Sequence, residues 1–308
     1  MRVEAALSPA DVLAQVAAAL PADVRGNVII IGSLAAGYHF FSGDGGRAIR
    51  TKDVDCLFSP HSKAIAAAAE VADQLIRADW KLREGPDWSQ PGKTDDEEKD
   101  LPMVRLRPPG EAAASWFLEL LSAPPAFDPG APGKNLRRVE TSIGHFAICS
   151  FAFLALAEWR PLDTAHGVRI ARPEMMALAN LLHHPAIGAA LIAGTDWNRS
   201  NKDLGRVLAL AYLAIQRDRR DGTAEFDAWA ERMWRALQDK FGGHAPQLAA
   251  RAGAGMSALL ASPADLNQAL RIANLGLLAS MDVSLEAFRA TGARFMVEVI
   301  DELEQFVQ

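Results

Sequence analysis

The run Asn27-Val28-Ile29-Ile30-Ile31-Gly32-Ser33, followed later by Thr51-Lys52-Asp53-Val54-Asp55-Cys56-Leu57-Phe58, decides how this chain is read. The first run is apolar and β-branched and breaks at a Gly-Ser pair. That is the pattern of a buried strand turning into a helix. Side chains alternate across a strand, so Asp53 and Asp55 share one face while Val54 and Cys56 pack behind them. Unpaired carboxylates in an apolar strand are costly, so the pair calls for a cation or hydrogen bonds. Two carboxylates together with phosphate oxygens suit magnesium. A glycine turn at a helix start suits a phosphate. Together the two runs point to nucleotide chemistry. The bland alternatives are a serine-capped turn and solvated acids on an edge strand.

A third acid stands in the strand-like run 116–121, where Glu119 is the only carboxylate. Flanked by Leu118 and Leu120, it faces away from them and shares a face with Phe117 and Leu121. A carboxylate there is either a metal ligand, a base that activates a hydroxyl, or an exposed glutamate on an edge strand.

The remaining sequence sets the frame. A length of 308 residues predicts two domains. Half the residues are hydrophobic and 23% are charged, so an ordinary globular core is expected. A net charge of −6 gives no electrostatic case for a general nucleic-acid binder. Cys56 and Cys149, the two cysteines, sit in apolar runs without metal-ligand spacing. No disulfide framework is expected, and a reducing cytoplasm is the expected home. The start Met1-Arg2-Val3-Glu4-Ala5 shows no signal-peptide pattern, and no apolar stretch is long enough for a membrane span.

Ser8-Pro9-Ala10-Asp11 reads as a helix start, and the helix is expected to end at Pro21. Ser33 is expected to cap a helix running to about Phe40, with a glycine-rich loop at 42–46. Strands are expected at 28–31, 53–58, 80–83, 102–107, 116–121, 147–156 and 168–171, and a helix at 60–78. A proline- and glycine-rich loop fills 124–133. After Pro173 the pattern is helical: 173–183, 202–217, 224–241, 245–252, 263–273 and 285–306. Strands early and helices late predict an α+β domain over 1–172 and a helical bundle over 173–308. His183 and His184, adjacent on a helix, point different ways and read as no metal site.

The order strand, Gly32-Ser33, helix, Asp53-x-Asp55 strand, then a later strand with Glu119, resembles the DNA polymerase β-like nucleotidyltransferase superfamily. The resemblance implies a mixed sheet with flanking helices. It implies that Gly32 and Ser33 hold a nucleoside triphosphate, that Asp53 and Asp55 bind magnesium, and that Glu119 completes a site for two ions. Arg50-Thr51-Lys52 ahead of the acids is similar to the toxin-type and abortive-infection (AbiEii/MenT-like) branch. Lys202-Asp203, opening a helix, matches a later element of that branch, while Asn180-Leu181 stands where the branch often has a lysine. Arg50, Lys52 and Lys202 are then candidate phosphate contacts, Lys202 as a point charge. The long interval from Ser33 to Asp53, and a glutamate as third acid, depart from the compact members.

The activity so implied is transfer of a nucleoside monophosphate from a triphosphate, such as ATP, to an acceptor hydroxyl with release of pyrophosphate. The acceptor is an RNA end such as tRNA, a protein or a small molecule, and an antitoxin protein is an expected partner. The competing expectations are a non-catalytic nucleotide-binding or protein-interaction module with the same fold, and a phosphohydrolase using the same acids.

Overall fold

Val28, Ile29 and Ile30 have no exposed surface and form the centre of a sheet. The computed structural model describes residues 6–43, 47–83, 90–110, 116–125, 127, 134–188 and 190–307. Helix makes up 54% of it and strand 17%, so the class is mixed α+β as expected. The chain divides into two compact units. The first holds Met1–His39 and Arg50–Ala171; the second holds Phe40–Ile49 and Arg172–Gln308. The change at 171/172 lies beside the expected boundary, but the segment 40–49 goes with the helical unit. Within the expected loop 42–46, residues 44–46 lie outside the described residues.

Among the described residues the first unit carries a nine-stranded sheet. Its strands are β1 (Val28–Ile31), β2 (Asp53–Phe58), β3 (Lys81–Leu82), β4 (Arg105–Arg107), β5 (Phe117–Ser122), β6 (Lys134–Thr141), β7 (Gly144–Phe151), β8 (Leu162–Asp163) and β9 (Arg169–Ile170). The order along the sheet is β8-β9-β1-β2-β5-β4-β3, with β7 beside β5 and β6 beside β7. β1 is antiparallel to β2, β2 is parallel to β5, and β5 is antiparallel to β4. On one face lie Val54, Cys56, Leu118 and Leu120, all buried. Helix α3 (His61–Arg77) contacts β2, β5 and β6. Its buried positions Ala64, Ala67, Ala68, Val71, Ala72 and Leu75 recur at helical spacing, giving one apolar stripe.

Two expectations in this unit need correction. Residues 147–156 are not one strand: β7 begins at Gly144, ends at Phe151, and a 3-10 helix follows over Ala152–Glu158. Strand β6 has no counterpart among the expected elements. It is held by eight consecutive backbone pairings to β7, from Lys134↔Phe151 to Thr141↔Gly144. Helix α1 (Pro9–Ala19) opens as expected, with Ser8 Oγ accepting from the Asp11 amide at 3.4 Å.

The second unit is helical: α4 (Pro173–His183), α5 (Arg199–Asp221), α6 (Trp229–Phe241), α7 (Ala245–Ala252), α8 (Ala254–Ala261), α9 (Pro263–Leu275) and α10 (Leu285–Phe295). Beyond α10 a π turn over Met296–Ile300 leads into a last helical turn, Asp301–Gln305. α5 packs against α4, α9 and α10, and Leu204, Val207, Leu208 and Ala211 are among its buried residues. Gly222, at φ +67°, ends α5 in a left-handed cap.

Candidate functional site

Helix α2 (Gly32–Phe41) follows β1 without an intervening loop. Ser33 therefore lies inside the first turn of the helix rather than capping it. Gly32 makes the strand-to-helix turn at φ +74°, where L side chains are strained. A Cβ there would stand 2.8 Å from Asp55 Oδ2, so the carboxylate sits where a side chain would be. The sheet register explains the approach, because Ile31 pairs with Asp55 and Gly32 is the next residue. Asp53 and Asp55 share the half-exposed face of β2, and Val54 and Cys56 are fully buried behind it. Burial, and then the charge of Asp55, push the Cys56 thiol well up, so Cys56 is an inert core residue.

Thr51, itself buried, orients the first aspartate. Its hydroxyl donates to Asp53 Oδ1 at 2.9 Å and to the Asp53 carbonyl at 3.2 Å. Arg50 is half-buried and Lys52 exposed on either side of Thr51. Lys52 is tied to β5 through its carbonyl, which accepts from the Phe117 amide at 2.8 Å.

Glu119 pairs in register with Asp55, so its backbone is adjacent and its side chain is on the same face. Its carboxylate is engaged from the other side. Arg105, its antiparallel partner on β4, donates Nε to Oε2 and Nη2 to Oε1, both at 2.9 Å. This bidentate pair is mostly buried, with side-chain exposures of 18% and 14%. Among the described residues no group of three or more His, Cys, Asp or Glu side chains is placed to hold a metal. The structure thus brings Gly32, Asp53 and Asp55 together, and gives Glu119 to Arg105.

Arginines extend this face toward β3. Lys81 pairs with Arg107, and the Arg83 amide donates to the Arg105 carbonyl, so all four side chains share the face of Glu119. The Arg83 guanidinium lies 4.1 Å from the centre of the Phe117 ring. Burial and the like charge of Arg105 hold its pKa below the usual value, against the pull of Glu119; Arg107 adds to the lowering and Asp53 opposes it. The sequence reading passed over these residues. The signal was the alternation Arg105-Leu106-Arg107, which sends both guanidiniums to one face.

Lys202 belongs to the second unit, half-buried in the first turn of α5. Its neighbour Asp203 accepts from His184 Nε2 at 2.9 Å, and both side chains are 15% exposed. Burial raises the Asp203 pKa, but the His184 hydrogen bond and the charges of Arg206, Lys202 and His184 outweigh it and leave the pKa lowered. Burial, and then the neighbouring His184, lower the His183 pKa. Asn201, fully buried, donates to Asp265 Oδ1 at 2.7 Å and Gln268 Oε1 at 2.8 Å, locking α5 to α9. No helix among the described residues is long and apolar enough to cross a membrane. The chain matches no family model, no curated protein and no solved structure.

Proposed function

We propose that the first unit is a magnesium-dependent nucleotidyltransferase of the DNA polymerase β-like kind. It would take a nucleoside triphosphate and pass its nucleotidyl group to an acceptor hydroxyl. One observation carries the reading: the positive-φ Gly32 turn at the head of α2 lies directly over the Asp55 carboxylate, with Asp53 on the same face. Backbone amides at a helix start favour phosphate oxygens, and adjacent carboxylates favour the cation that accompanies them.

The donor set suits magnesium, which is commonly held by one or two carboxylates with substrate phosphates completing its shell. Asp53 and Asp55 would hold it, and when bound it neutralises phosphate charge and lowers the pKa of an acceptor hydroxyl. Thr51 fixes the Asp53 carboxylate. Gly32 lets the Asp55 carboxylate stand against the head of α2, where the backbone amides and the Ser33 hydroxyl would meet the phosphates. Arg83 and Arg107 add positive charge on the same sheet face, and Glu119 holds the Arg105 guanidinium in place. The acceptor oxygen bonds to the α-phosphorus as the bond to the bridging oxygen breaks. Pyrophosphate leaves with the bonding pair, and the hydroxyl proton passes to solvent.

The Arg105–Glu119 pair favours a second reading, nucleotide binding without transfer, because it occupies the acid on which a site for two ions would draw. Incubation with α-labelled nucleoside triphosphates, magnesium and a cell lysate separates the two. Label transfer that disappears in Asp53→Ala/Asp55→Ala supports the transferase. Calorimetric binding without transfer assigns the second reading. Neither transfer nor binding overturns both.

A further inference from the structure

A single row of residues crosses the half-exposed face of the sheet in the first unit. Ile31 pairs with Asp55, Asp55 with Glu119, and Glu119 with Arg105. The Arg83 amide donates to the Arg105 carbonyl and completes the row. At about 4.8 Å between strands, the Arg83 backbone stands roughly 14 Å from that of Asp55, and Gly32 follows the opposite end of the row. The Arg83 side chain does not stay at its edge. Its guanidinium lies 4.1 Å from the centre of the Phe117 ring, and Phe117 pairs in register with Asp53. The charge is thus carried back over β4 to the strand beside the acids, on the side away from Gly32.

Stacking holds this guanidinium, and no acid does. Both oxygens of Glu119 are bonded to Arg105. Among the described residues no carboxylate forms an ion pair with Arg83. Burial disfavours its charge most. Next comes the repulsion of Arg105, which the pull of Glu119 does not outweigh, and then that of Arg107, which the pull of Asp53 does not outweigh. The nearby acids therefore do not neutralise Arg83, and an oxyanion has a place there. The donors of a guanidinium form a planar fork that fits a phosphate, and stacking on a ring covers the plane while leaving the edge of the fork open.

The transferase reading, on which this inference rests, gives the far side of the acids a role. In a displacement at phosphorus the attacking and leaving oxygens lie roughly in line. With the leaving phosphates at the head of α2, attack comes from the other side of Asp53 and Asp55, where Phe117 and Arg83 stand. We propose that the acceptor enters over Phe117 from the β3 edge, and that Arg83 holds it by a phosphate neighbouring its attacking hydroxyl. The acceptor oxygen bonds to the α-phosphorus, its proton passes to solvent, and pyrophosphate leaves with the bonding pair. The phosphate on Arg83 stays intact throughout.

Calorimetry on the full chain tests this, with magnesium and α,β-methylene adenosine triphosphate present so that the phosphate probes do not report the triphosphate site. Glycerol 3-phosphate and a single-stranded tetraribonucleotide are titrated separately, which distinguishes a free phosphate from a strand end. Glycerol and glycerate are the controls. At least one phosphate probe is expected to bind saturably. Its midpoint should weaken about tenfold or more in Arg83→Gln, the loss expected when hydrogen bonds to a charged group are removed. The midpoint of the triphosphate analogue should weaken less. Arg83→Lys keeps the charge without the fork and should fall between; it carries the test should Arg83→Gln lose its fold. Equal weakening of the triphosphate analogue would put Arg83 on the leaving side and overturn the proposal. Wild-type midpoints in both variants, or no binding of either probe, overturn it too. Glycerol matching the probes overturns the anion, and glycerate matching them overturns the phosphate. Binding that depends on Arg83 in a protein that takes up no triphosphate would support the anion site and overturn the transferase reading.

Discussion

Gly32 in the sheet unit and Gly255 in the helical unit are both places where the fold leaves no room for a side chain, but for different ends. Gly32 turns the chain at positive φ, and its missing side chain leaves space beside Asp55 Oδ2 on a half-exposed surface. Gly255 is buried within α8, and a Cβ there would run into the His184 carbonyl oxygen. The first glycine keeps a carboxylate next to a helix start. The second lets two backbones touch. Under the proposed function the close approach to a polar side chain at a half-open turn serves a ligand; the same approach to a buried backbone serves packing.

The largest expected effect is on the packing side. Gly255→Ala drives a methyl into backbone that has no flexible end to yield. Its cost should reach or exceed the top of the ~1–3 kcal/mol usual for overpacking. Denaturant unfolding measures it, and wild-type stability would mean that α8 and the His184 turn are not in contact.

Gly32→Ala should divide differently. The positive φ costs about 1–2 kcal/mol for a residue with a Cβ. The methyl must also displace the Asp55 carboxylate, a shift of the size that lowers catalytic rates about 100-fold. Nucleotidyl transfer should therefore fall much more than stability does. Equal losses in both would reduce Gly32 to a turn residue.

The parts of this contrast that follow a local period were legible in the sequence. Asp53 and Asp55 fall on one face because strands alternate with period two; that Glu119 joins them is set by the register of β5 on β2. What was not legible depends on pairing between distant segments. The Arg105 partner of Glu119 is 14 residues away and set by an antiparallel register. Strand β6 carries Arg137, Arg138 and Glu140, with Leu136 and Val139 out of alternation, so no local signal separates it from a loop. His184 finds Asp203 on another helix, 19 residues on, which helical spacing within α4 does not reveal.

Glu119 tests which side of the contrast it belongs to. Arg105→Ala leaves a mostly buried carboxylate without its bidentate partner and should cost about 1–3 kcal/mol of stability. Glu119→Gln removes the charge but keeps the shape. If Glu119 serves Arg105, transfer in this variant stays within about tenfold of wild type, a change worth roughly 1.4 kcal/mol of barrier. A collapse of transfer equal to that of Asp55→Ala would place Glu119 among the reacting groups.

Asp203 offers the smallest and most specific check, because its role is visible in pH rather than in activity. Its pKa in the folded protein is lowered: burial raises it, but the His184 hydrogen bond with the charges of Arg206, Lys202 and His184 outweighs burial. A carboxylate whose folded pKa lies below its unfolded value of about 3.9 stabilises the fold above that value. The contribution fades as pH falls through the folded pKa. Asp203→Asn should therefore cost about 1 kcal/mol near neutrality, the net worth of a typical hydrogen bond, and the gap to wild type should narrow as the solution is acidified below the ordinary aspartate range. Asp53→Asn should differ in kind, reducing magnesium-dependent nucleotide binding. A gap for Asp203→Asn that stays constant down to the acid transition would mean that Asp203 does not titrate with folding.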